Sequence, residues 1–475
     1  MLAQLYKPSL GLLTDLYQIT MAYGYWKSNR HTVETTFQLF FRKAPFDNGF
    51  AICAGIDTAL ELIEQFNFSE EDIAYLQKQT GNDGNLLFEP EFLRYIQNLE
   101  MTVDVDAVSE GEPVLAHEPL LRITGPIISC QLLESALLTC INFQTLIATK
   151  AYRVCKAAMD DSVLEFGLRR AQGFDGAISA ARAAYIGGVH ATSNVLAGRL
   201  LNIPIQGTHA HAWVMMFDSE PEAFEAYANA MPNNCVFLVD TYDTIDGVQN
   251  AIQVGNKLRD NGHEMVGIRL DSGDLTTLSI AARRLLDDSG FPNAKIVASD
   301  SLNEHRIAKL KSEGAQIDIW GVGTNLITAQ DQPALGGVYK LSAQREQNTE
   351  RWVPKIKLSN SPIKVSNPGR LQIYRYVSPD GIWQADVLGE QPPESSNSVH
   401  SLTGEVYLLP ENAIPTPLLT PKMVGGKRVL SSETLHDCRH RAMLAMRCER
   451  ELPLLTANTW TTKSTLMKQY QSQTR

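Results

Sequence analysis

The sequence predicts a mixed α/β fold in which an irregular, TIM-like (β/α) barrel is joined to a discontinuous α/β (α+β) domain built from the N- and C-terminal segments. In the middle of the chain, apolar strand-like runs end in polar residues at regular intervals, and helical patterns fill the gaps between them. Repeated β-α units of this length favour parallel strands. The chain has 475 residues, more than a single hydrophobic core usually serves, so more than one domain is expected.

Residues 1–130 are expected to form an N-terminal α/β domain. The spacing of apolar residues predicts a helix over 14–28, and their alternation predicts a strand over 33–41. Ser69 begins a further helix, with Asp72 placed to complete a capping box. Two more strands are expected over 101–108 and 113–123.

Residues 131–342 are expected to form the barrel and to carry the active site. Strand-like runs end at Ile205, Val239, Leu270, Ala298 and Trp320. The polar residues just beyond the last four, separated by 31, 29 and 24 residues, are Asp240, Asp271, Asp300 and Thr324. Because polar residues follow so many successive strands, a barrel is favoured over a doubly wound sheet, which concentrates them near one switch point. Ser301 and Glu304 are spaced as a capping box for the next helix.

Residues 343–475 are expected to form a β-rich segment that packs on the N-terminal domain. Strand patterns over 370–377 and 382–387 flank Pro379-Asp380-Gly381, which predicts a hairpin. Residues 389–398 have the composition of a loop, and the last 20 residues that of an irregular tail.

Composition limits the compartment and the partners. The net charge of -11 argues against a nucleic-acid partner, because binding to phosphates needs a basic face. The seven cysteines lack paired spacing, so a reducing compartment is expected. No signal peptide and no apolar run of membrane-spanning length is visible. We therefore expect a cytoplasmic protein without a membrane partner.

The segment Gly207-Thr208-His209-Ala210-His211 directly follows a predicted strand. A histidine here can serve as a nucleophile or base, as a metal ligand or as a structural hydrogen-bonding group; the glycine-threonine turn and the polar strand ends favour a functional role. The H-x-H spacing also suggests a metal hydrolase, which needs further ligands at later strand ends. No histidine ends those strands, so no metal site is assigned.

A cation and a carboxylate, Arg269 and Asp271, lie on the same side of one predicted strand end. Arg269 can hold an anionic group bidentately, and Asp271 can accept hydrogen bonds from sugar hydroxyls. The structural alternative is an internal salt bridge between the two. Asp240 has the same position after its own strand, where it can equally cap a helix.

Two further segments are suited to phosphates. The adjacent cations Arg169 and Arg170 are flanked by glycines, which leaves flexible backbone beside positive charge. Gly323 and Thr324 follow the last predicted barrel strand, where phosphate sites of such barrels are often found. The residues alone thus indicate an acidic α/β enzyme that acts on a phosphorylated sugar and contains a candidate nucleophilic histidine.

Together these segments resemble the nicotinate phosphoribosyltransferase family. The matching pieces occur in the family's order at residues 13–18, 41–46, 166–173, 187–194, 207–211, 240–242, 269–275 and 336–341. The resemblance implies an incomplete barrel joined to an α/β domain from both chain ends, in homodimers that share active sites.

The resemblance also implies roles for individual residues. The catalytic residues would be His211, as a histidine phosphorylated by ATP, and Asp271. Nicotinate would contact Tyr17 of the neighbouring subunit, Phe166, Thr208 and Arg269. Phosphoribosyl pyrophosphate would contact Arg169, Asp240, Asp271, Gly323 and Thr324. No residue is assigned to a metal, although Mg²⁺ and ATP are the implied cofactors.

The implied reaction converts nicotinate, phosphoribosyl pyrophosphate, ATP and water into nicotinate mononucleotide, pyrophosphate, ADP and phosphate, a salvage step of NAD biosynthesis. A nicotinamide-specific enzyme of the same superfamily and a non-catalytic phosphosugar-binding regulator remain as alternatives. Many relatives carry an acidic residue after the pair Gly187-Gly188, where this chain has His190. We therefore expect His190 to lie beside the pyridine ring and to favour a carboxylate over an amide.

Overall fold

The chain forms two compact units. The computed structural model describes residues 9–361, 364–379, 381–392, 399–401, 405–409, 414–429, 433–445, 454–456 and 463–469. The central unit is Ile147–Pro333. The terminal unit combines Met1–Leu146 with Ala334–Arg475, so both ends of the chain belong to it.

Helices and strands alternate through much of the chain, which makes the fold mixed α/β. The α-helices are α1 (Leu16–Lys27), α2 (Ile56–Gln65), α3 (Glu70–Leu76), α4 (Pro90–Gln97), α5 (Ile127–Leu132), α6 (Glu134–Ala158), α7 (Gly173–Ile186), α8 (Val195–Leu201), α9 (His211–Met215), α10 (Glu220–Ala230), α11 (Thr244–Asp260), α12 (Leu275–Asp288), α13 (Glu304–Ser312), α14 (Thr324–Ile327) and α15 (Leu435–Ala445). Over the described residues, no helix is both long and apolar enough to cross a membrane.

The strands are distributed over both units. They are β1 (Glu34–Phe41), β2 (Ala51–Ile52), β3 (Asp104–Ala107), β4 (Pro113–Val114), β5 (Leu121–Pro126), β6 (Ser162–Glu165), β7 (Ala191–Thr192), β8 (Val236–Leu238), β9 (Gly267–Leu270), β10 (Lys295–Ala298), β11 (Ile319–Val322), β12 (Gly337–Arg345), β13 (Trp352–Pro354), β14 (Gln372–Val377), β15 (Trp383–Gly389), β16 (Val399–Ser401), β17 (Val406–Tyr407), β18 (Ile414–Pro417), β19 (Thr420–Val424), β20 (Lys427–Arg428) and β21 (Leu454–Thr456).

A parallel six-stranded sheet forms the framework of the central unit, in the order β7-β6-β11-β10-β9-β8. The last strand, β11, pairs with the first, β6. Ile205 adds a parallel bridge to Thr192 of β7. Within residues 147–333, all of which the structure describes, no strand pairing joins Ile205 to β8. The strands therefore pair in one continuous order, from Ile205 through β7, β6, β11, β10 and β9 to β8, and we call the position between Ile205 and β8 the open position.

The strand ends expected at Leu270 and Ala298 are confirmed. The helices that follow β8, β9 and β10 are capped by the side chains of Asp243, Asp274 and Asn303. The expected capping box of Ser301 and Glu304 is wrong, because Ser301 has a left-handed backbone (φ 47°) and Asn303 takes the cap position. Glu304 instead pairs with Arg153 at 2.8 Å.

The terminal unit contains a seven-stranded sheet in the order β13-β12-β1-β5-β3-β19-β20. Its β3, from the first part of the chain, pairs with β19 from the last part. The capping box of Ser69 and Asp72 is confirmed. The single strand expected over 113–123 is wrong: it divides into β4, which pairs with β2, and β5, which pairs with β1. Between them His117 has a left-handed backbone (φ 72°), which interrupts the extended conformation.

The second large sheet of the terminal unit contains the expected hairpin, since β14 and β15 pair antiparallel. Its turn residue Asp380, and residues 393–398 of the expected loop, lie outside the described residues. The expectation of an irregular tail is wrong for residues 463–469, which are helical.

Candidate active site

A cavity of about 460 Å³ lies in the central unit, at the carboxyl ends of its parallel strands. Each strand of the sheet except β8 contributes a residue from its end or from the loop that follows. The lining includes Phe166, Arg169, Arg170, Ser193, Thr208, Arg269, Asp271, Ser299, Asp300, Ser301, Gly323 and Thr324. This is the edge at which parallel β/α folds bind ligands, because the connecting loops converge there.

Arg269 forms the centre of a hydrogen-bonded network on one wall. Its Nε donates to Ser299 Oγ at 2.8 Å, one terminal nitrogen donates to Thr208 Oγ1 at 2.9 Å, and the other donates to Asp271 Oδ1 at 2.7 Å. The side chain is only 13% exposed. Since a guanidinium has five N–H groups, these three bonds leave two for a ligand. The salt bridge between Arg269 and Asp271 is therefore present, and Arg269 can still donate to an anionic ligand.

The carboxylate of Asp271 is held from several sides. Oδ1 accepts from Arg269 and from the hydroxyl of Ser299. Burial raises its pKa, but the Ser299 hydrogen bond and the charge of Arg269 outweigh this, and the net pKa lies below the usual value. Asp240 accepts from the Asp271 amide at 2.9 Å and from Ser272 Oγ at 2.6 Å. Asp240 thus fixes the turn that presents Asp271, although it does not itself line the cavity.

His211 is the first residue of α9 and lies beside this network. Its Nδ1 is 3.1 Å from Thr241 Oγ1, and its Nε2 is 3.7 Å from Asp271 Oδ2. The ring is partly exposed, with 40% of the side chain accessible. One nitrogen thus has a hydroxyl partner and the other faces a carboxylate, an arrangement that orients an imidazole for nucleophilic or acid-base chemistry.

The other histidine of the H-x-H segment has a different environment. His209 is buried, with 8% of the residue exposed, and its Nε2 accepts from the Leu238 amide at 3.1 Å. Its ring packs edge-on against Tyr227, with centroids 4.9 Å apart. Burial lowers the pKa of His209 to about 4. The two histidines are therefore not equivalent: the His211 ring is partly exposed outside the cavity lining, whereas His209 is buried in the cavity wall.

Phe166 lies on the wall next to Arg269, with the guanidinium carbon 5.8 Å from the ring centroid. A Cβ atom at Gly321 would lie 2.7 Å from two carbons of this ring, so the absence of a side chain on β11 allows Phe166 to occupy its position. The carboxylate of Glu165, the residue before Phe166, accepts from the Gly167 amide and from Thr192 Oγ1. These bonds fix the turn after β6 and leave the Phe166 ring as an apolar surface in the cavity.

A second group of lining residues has the features of an anion site. Arg169 and Arg170 are exposed residues of a 3₁₀ turn. Gly323 precedes α14, with Thr324 as its first residue. Asp300 and Ser301 both have positive φ values, 113° and 47°. Such backbone is costly for non-glycine residues and is most often found at functional sites.

Arg306 holds the unusual Asp300 turn in place. One of its terminal nitrogens donates to the Asp300 carbonyl at 2.6 Å, and the other lies 3.1 Å from Asp300 Oδ2. The turn therefore has a fixed shape even without a ligand.

Tyr17 belongs to α1 in the terminal unit and is 48% exposed. Leu13, Leu16 and Met21 are also exposed, so this end of the terminal unit presents several apolar side chains to solvent.

The expectation for His190 is wrong. His190 precedes β7, and its Nδ1 accepts from the Val163 amide at 3.2 Å, near the start of β6. The cavity lies at the other ends of these strands, where Ser193 follows β7 and lines the wall. The residue from this segment that reaches the cavity is therefore Ser193, which the sequence interpretation missed. Polar residues that directly follow parallel strands tend to line the site. This rule would have identified Ser193 if the short strand β7 had been recognised.

One further group of potential metal ligands occurs in the central unit. Ligand atoms of Glu304, His305 and Asp331 lie within 4.8 Å of one another. The Lys150 ammonium lies 2.6 Å from Glu304 and 2.5 Å from Asp331. A cation already neutralises these carboxylates, so the group is a structural ion-pair cluster.

Comparison with known proteins agrees with this geometry. Residues 12–142 match the nicotinate phosphoribosyltransferase (NAPRTase) N-terminal domain model, and residues 162–367 match the NAPRTase family model. The nicotinate phosphoribosyltransferase of Bacillus subtilis is 49% identical over 371 residues, which cover 78% of this chain and 74% of that protein. The enzyme of that name from Dictyostelium discoideum is 42% identical over 425 residues, covering 79% of this chain and 70% of that protein.

Solved structures give the same result at the level of the fold. The crystal structure of human nicotinic acid phosphoribosyltransferase superposes with a TM-score of 0.82 at 28% identity, covering 95% of this chain and 99% of that chain. A nicotinate-nucleotide pyrophosphorylase from Pyrococcus furiosus has a TM-score of 0.70 at 21% identity, covering 92% and 95%, which supports the fold alone. By sequence and by fold, the chain belongs to the nicotinate phosphoribosyltransferase family.

Proposed function

We propose that this chain is an enzyme that transfers a phosphoribosyl group to nicotinate, with coupled hydrolysis of ATP, in the salvage route of NAD biosynthesis. The observation that carries the proposal is the cavity itself, whose lining includes an aromatic ring beside a guanidinium with two remaining N–H groups, and also two further arginines. A pyridine ring with a carboxylate fits the first pair of groups, and a polyphosphate fits the two further arginines.

The scaffold of this proposal is an incomplete (β/α) barrel. The pairing of β11 with β6 and the continuous strand order support it. A barrel with one open position still brings the loops after its strands around a common centre. Residues from sequentially distant strand ends can therefore act on one substrate.

In the nicotinate subsite, the pyridine ring stacks on Phe166 and its carboxylate accepts from Arg269. Thr208 holds one terminal nitrogen of Arg269 and so orients the guanidinium toward the ring. Tyr17 of a neighbouring subunit would cover the other face of the ring in a homodimer. The exposed apolar side chains on and beside α1 support such an arrangement.

In the phosphoribosyl pyrophosphate subsite, Arg169 and the backbone around Gly323 and Thr324 bind phosphates. Asp240 and Asp271 lie toward the ribose. Cleavage of the bond between ribose and pyrophosphate develops positive charge on the sugar and negative charge on the leaving group. Carboxylates near the ribose and cations near the pyrophosphate stabilise both charges where they form.

Mg²⁺ is compatible with the residues present. Asp240 Oδ1 is buried and accepts no hydrogen bond from the described residues, and carboxylate oxygens are ligands that Mg²⁺ prefers. Asp240 and Asp271 would hold it, and it would neutralise charge on the pyrophosphate.

His211 would accept the γ-phosphoryl group of ATP. With its proton on Nδ1 donated to Thr241, the Nε2 lone pair can attack the γ-phosphorus, and ADP leaves with the electrons of the broken P–O bond. Asp271 lies next to that nitrogen and orients the ring. Later hydrolysis by water releases phosphate and restores the imidazole.

Cytoplasmic localisation is proposed because the cysteines in the described residues are free.

The test is pyrophosphate release by the purified protein with phosphoribosyl pyrophosphate, ATP and Mg²⁺, comparing nicotinate with nicotinamide at equal concentrations. We expect kcat/KM to be at least about tenfold higher for nicotinate, the difference that one charge-assisted hydrogen bond supplies. Equal values for the two bases would reject the nicotinate assignment, and binding without turnover would indicate a phosphosugar-binding regulator.

The ATP-dependent part needs a second measurement. Incubation with γ-labelled ATP should give an acid-labile, base-stable label that His211→Asn abolishes. Label retained in that variant would reject the assignment of the phosphohistidine.

A further inference from the structure

The open position between Ile205 and β8 exposes an edge of the parallel sheet. The amide of Val239 donates to the Arg269 carbonyl on β9 at 3.2 Å. Because successive amides of a strand point to opposite edges, the amide of the preceding residue, Leu238, points to the open side. A buried N–H group without an acceptor is costly, so this edge needs a partner.

The partner is a side chain rather than a strand. The Leu238 amide donates to His209 Nε2 at 3.1 Å. His209 lies in the loop that leaves Ile205, so this hydrogen bond spans the position where strand pairing is missing. The imidazole thus takes the place of one backbone carbonyl in the sheet.

The surroundings of His209 fix both its orientation and its protonation state. Tyr227 and Phe224 of α10 pack against the ring, with centroids 4.9 and 6.0 Å away. Burial lowers the pKa of His209 to about 4, and the nearby Arg269 and His211, the charged or titratable groups that act on it, also oppose its protonation. At neutral pH the ring is uncharged, and Nε2 is free to accept a hydrogen bond.

Thr208 and His211, which flank His209 in the same segment, contact side chains at the end of β9, the strand next to β8. Thr208 Oγ1 accepts from Arg269 at 2.9 Å. His211 Nε2 lies 3.7 Å from Asp271. We propose that His209 is a positioning residue: by accepting the Leu238 amide across the open side of β8, it sets the distances of Thr208 and His211 from Arg269 and Asp271. The expected effect of the His209 hydrogen bond on turnover rests on the proposed function.

The test compares two replacements of nearly equal length. In His209→Gln the side-chain oxygen can still accept from Leu238, whereas His209→Met fills the same space without that acceptor. We expect His209→Met to lower kcat by about tenfold or more, the change that corresponds to one lost hydrogen bond to a buried amide. The KM for nicotinate should rise as well, and it should rise more than the KM for phosphoribosyl pyrophosphate, since Arg169 and Thr324 belong to other loops and only Asp240 and Asp271 of that subsite lie near His209. His209→Gln should restore kcat to within about threefold of the wild type.

Hydrogen exchange measured on peptides containing Leu238 provides a readout that does not depend on catalysis. We expect the Leu238 amide to be protected in the wild type and in His209→Gln, and to exchange faster in His209→Met. His263→Met, at a partly exposed histidine whose Nδ1 is 2.8 Å from the Asn233 side chain, is the control and should change neither property.

The possible results distinguish a failure of the positioning role from a failure of the proposed activity. Equal kcat values for the Gln and Met variants, or a uniform change in every KM, would overturn the positioning role. An inactive wild type would reject the proposed activity, and unchanged exchange at Leu238 in His209→Met would then reject the contact itself.

Discussion

Removal of the Arg269 guanidinium should reduce the selection of nicotinate over nicotinamide. The change is Arg269→Gln, which keeps a polar group but loses the positive charge. A hydrogen bond to a charged group contributes about 1.5–3 kcal/mol. At about 1.4 kcal/mol per factor of ten, the variant should lose roughly ten- to 150-fold in kcat/KM for nicotinate relative to nicotinamide.

The relative value matters because Arg269 also has partners inside the protein. Loss of its bonds to Ser299, Thr208 and Asp271 will disturb the site for both bases. Nicotinamide has no carboxylate, so its kcat/KM reports this indirect damage together with the loss of any neutral hydrogen bond to its carbonyl. The change in kcat/KM for nicotinate divided by the change for nicotinamide isolates the contribution of the negative charge on the carboxylate.

The assay is steady-state pyrophosphate release with each base over a range of concentrations. Arg284→Gln is a suitable control, because Arg284 is an exposed arginine on α12 in the same unit and does not line the cavity. A ratio in Arg269→Gln that stays within about twofold of the wild type would refute a direct contact between Arg269 and the carboxylate.

Three further changes follow from the site and from the terminal unit. Ser193→Asp should lower kcat/KM for nicotinate about tenfold and spare nicotinamide, because a carboxylate on the cavity wall repels the substrate carboxylate, and two like charges about 10 Å apart repel by roughly 1.7 kcal/mol at an effective dielectric constant of about 20; equal losses in the uncharged Ser193→Asn would contradict this. Arg306→Gln should raise the KM for phosphoribosyl pyrophosphate by about tenfold without changing that for nicotinate, because it releases the Asp300 turn; unchanged KM values would show that the turn holds without it. Burial, with help from Lys463 and Arg42, lowers the pKa of His117 from 6.5 to about 4. The unfolded chain therefore binds this proton first, and stability should fall by about 3 kcal/mol as pH drops through that window, then level off; thermal melts of His117→Gln should lack this part of the loss, and a profile identical to the wild type would contradict it.

The sequence predicted two of the five expected strand ends of the central unit to the residue, because these strands are mainly apolar and polar residues follow them. The runs expected to end at Val239 and Trp320 are strands that end at Leu238 and Val322, and Ile205 forms only an isolated bridge. Leu270 and Ala298 end strands as expected, and Asp271 and Ser299 follow them into the cavity. The pattern is local, so composition and spacing are sufficient to detect it.

Features that depend on backbone conformation or on short pairing could not be predicted. Strand β7 has only two residues, too few for a period, so Ser193 was missed and His190 was given a role at the wrong end of the strand. The left-handed backbone of Ser301 made a correctly spaced capping box unusable. Strand β7 depends on its pairing with the distant strand β6, and the turn at Asp300 and Ser301 depends on the side chain of Arg306, neither of which residue spacing reveals.

The spacing of the residues did not distinguish His209 from His211, although the family resemblance assigned the reactive role to His211. Both occupy an H-x-H segment, and spacing alone gives them equal claims to chemistry. Burial against Tyr227 and the bond to the Leu238 amide make one of them structural, and the position beside Asp271 leaves the other available for reaction.

The most direct test of the assigned site is a crystal structure with nicotinate mononucleotide bound. We expect the pyridine ring on Phe166, its carboxylate within hydrogen-bonding distance of Arg269, and the phosphate at Arg169 and the backbone of Gly323 and Thr324. A nucleotide bound outside the cavity, or inside it with the carboxylate turned away from Arg269, would contradict the assignment.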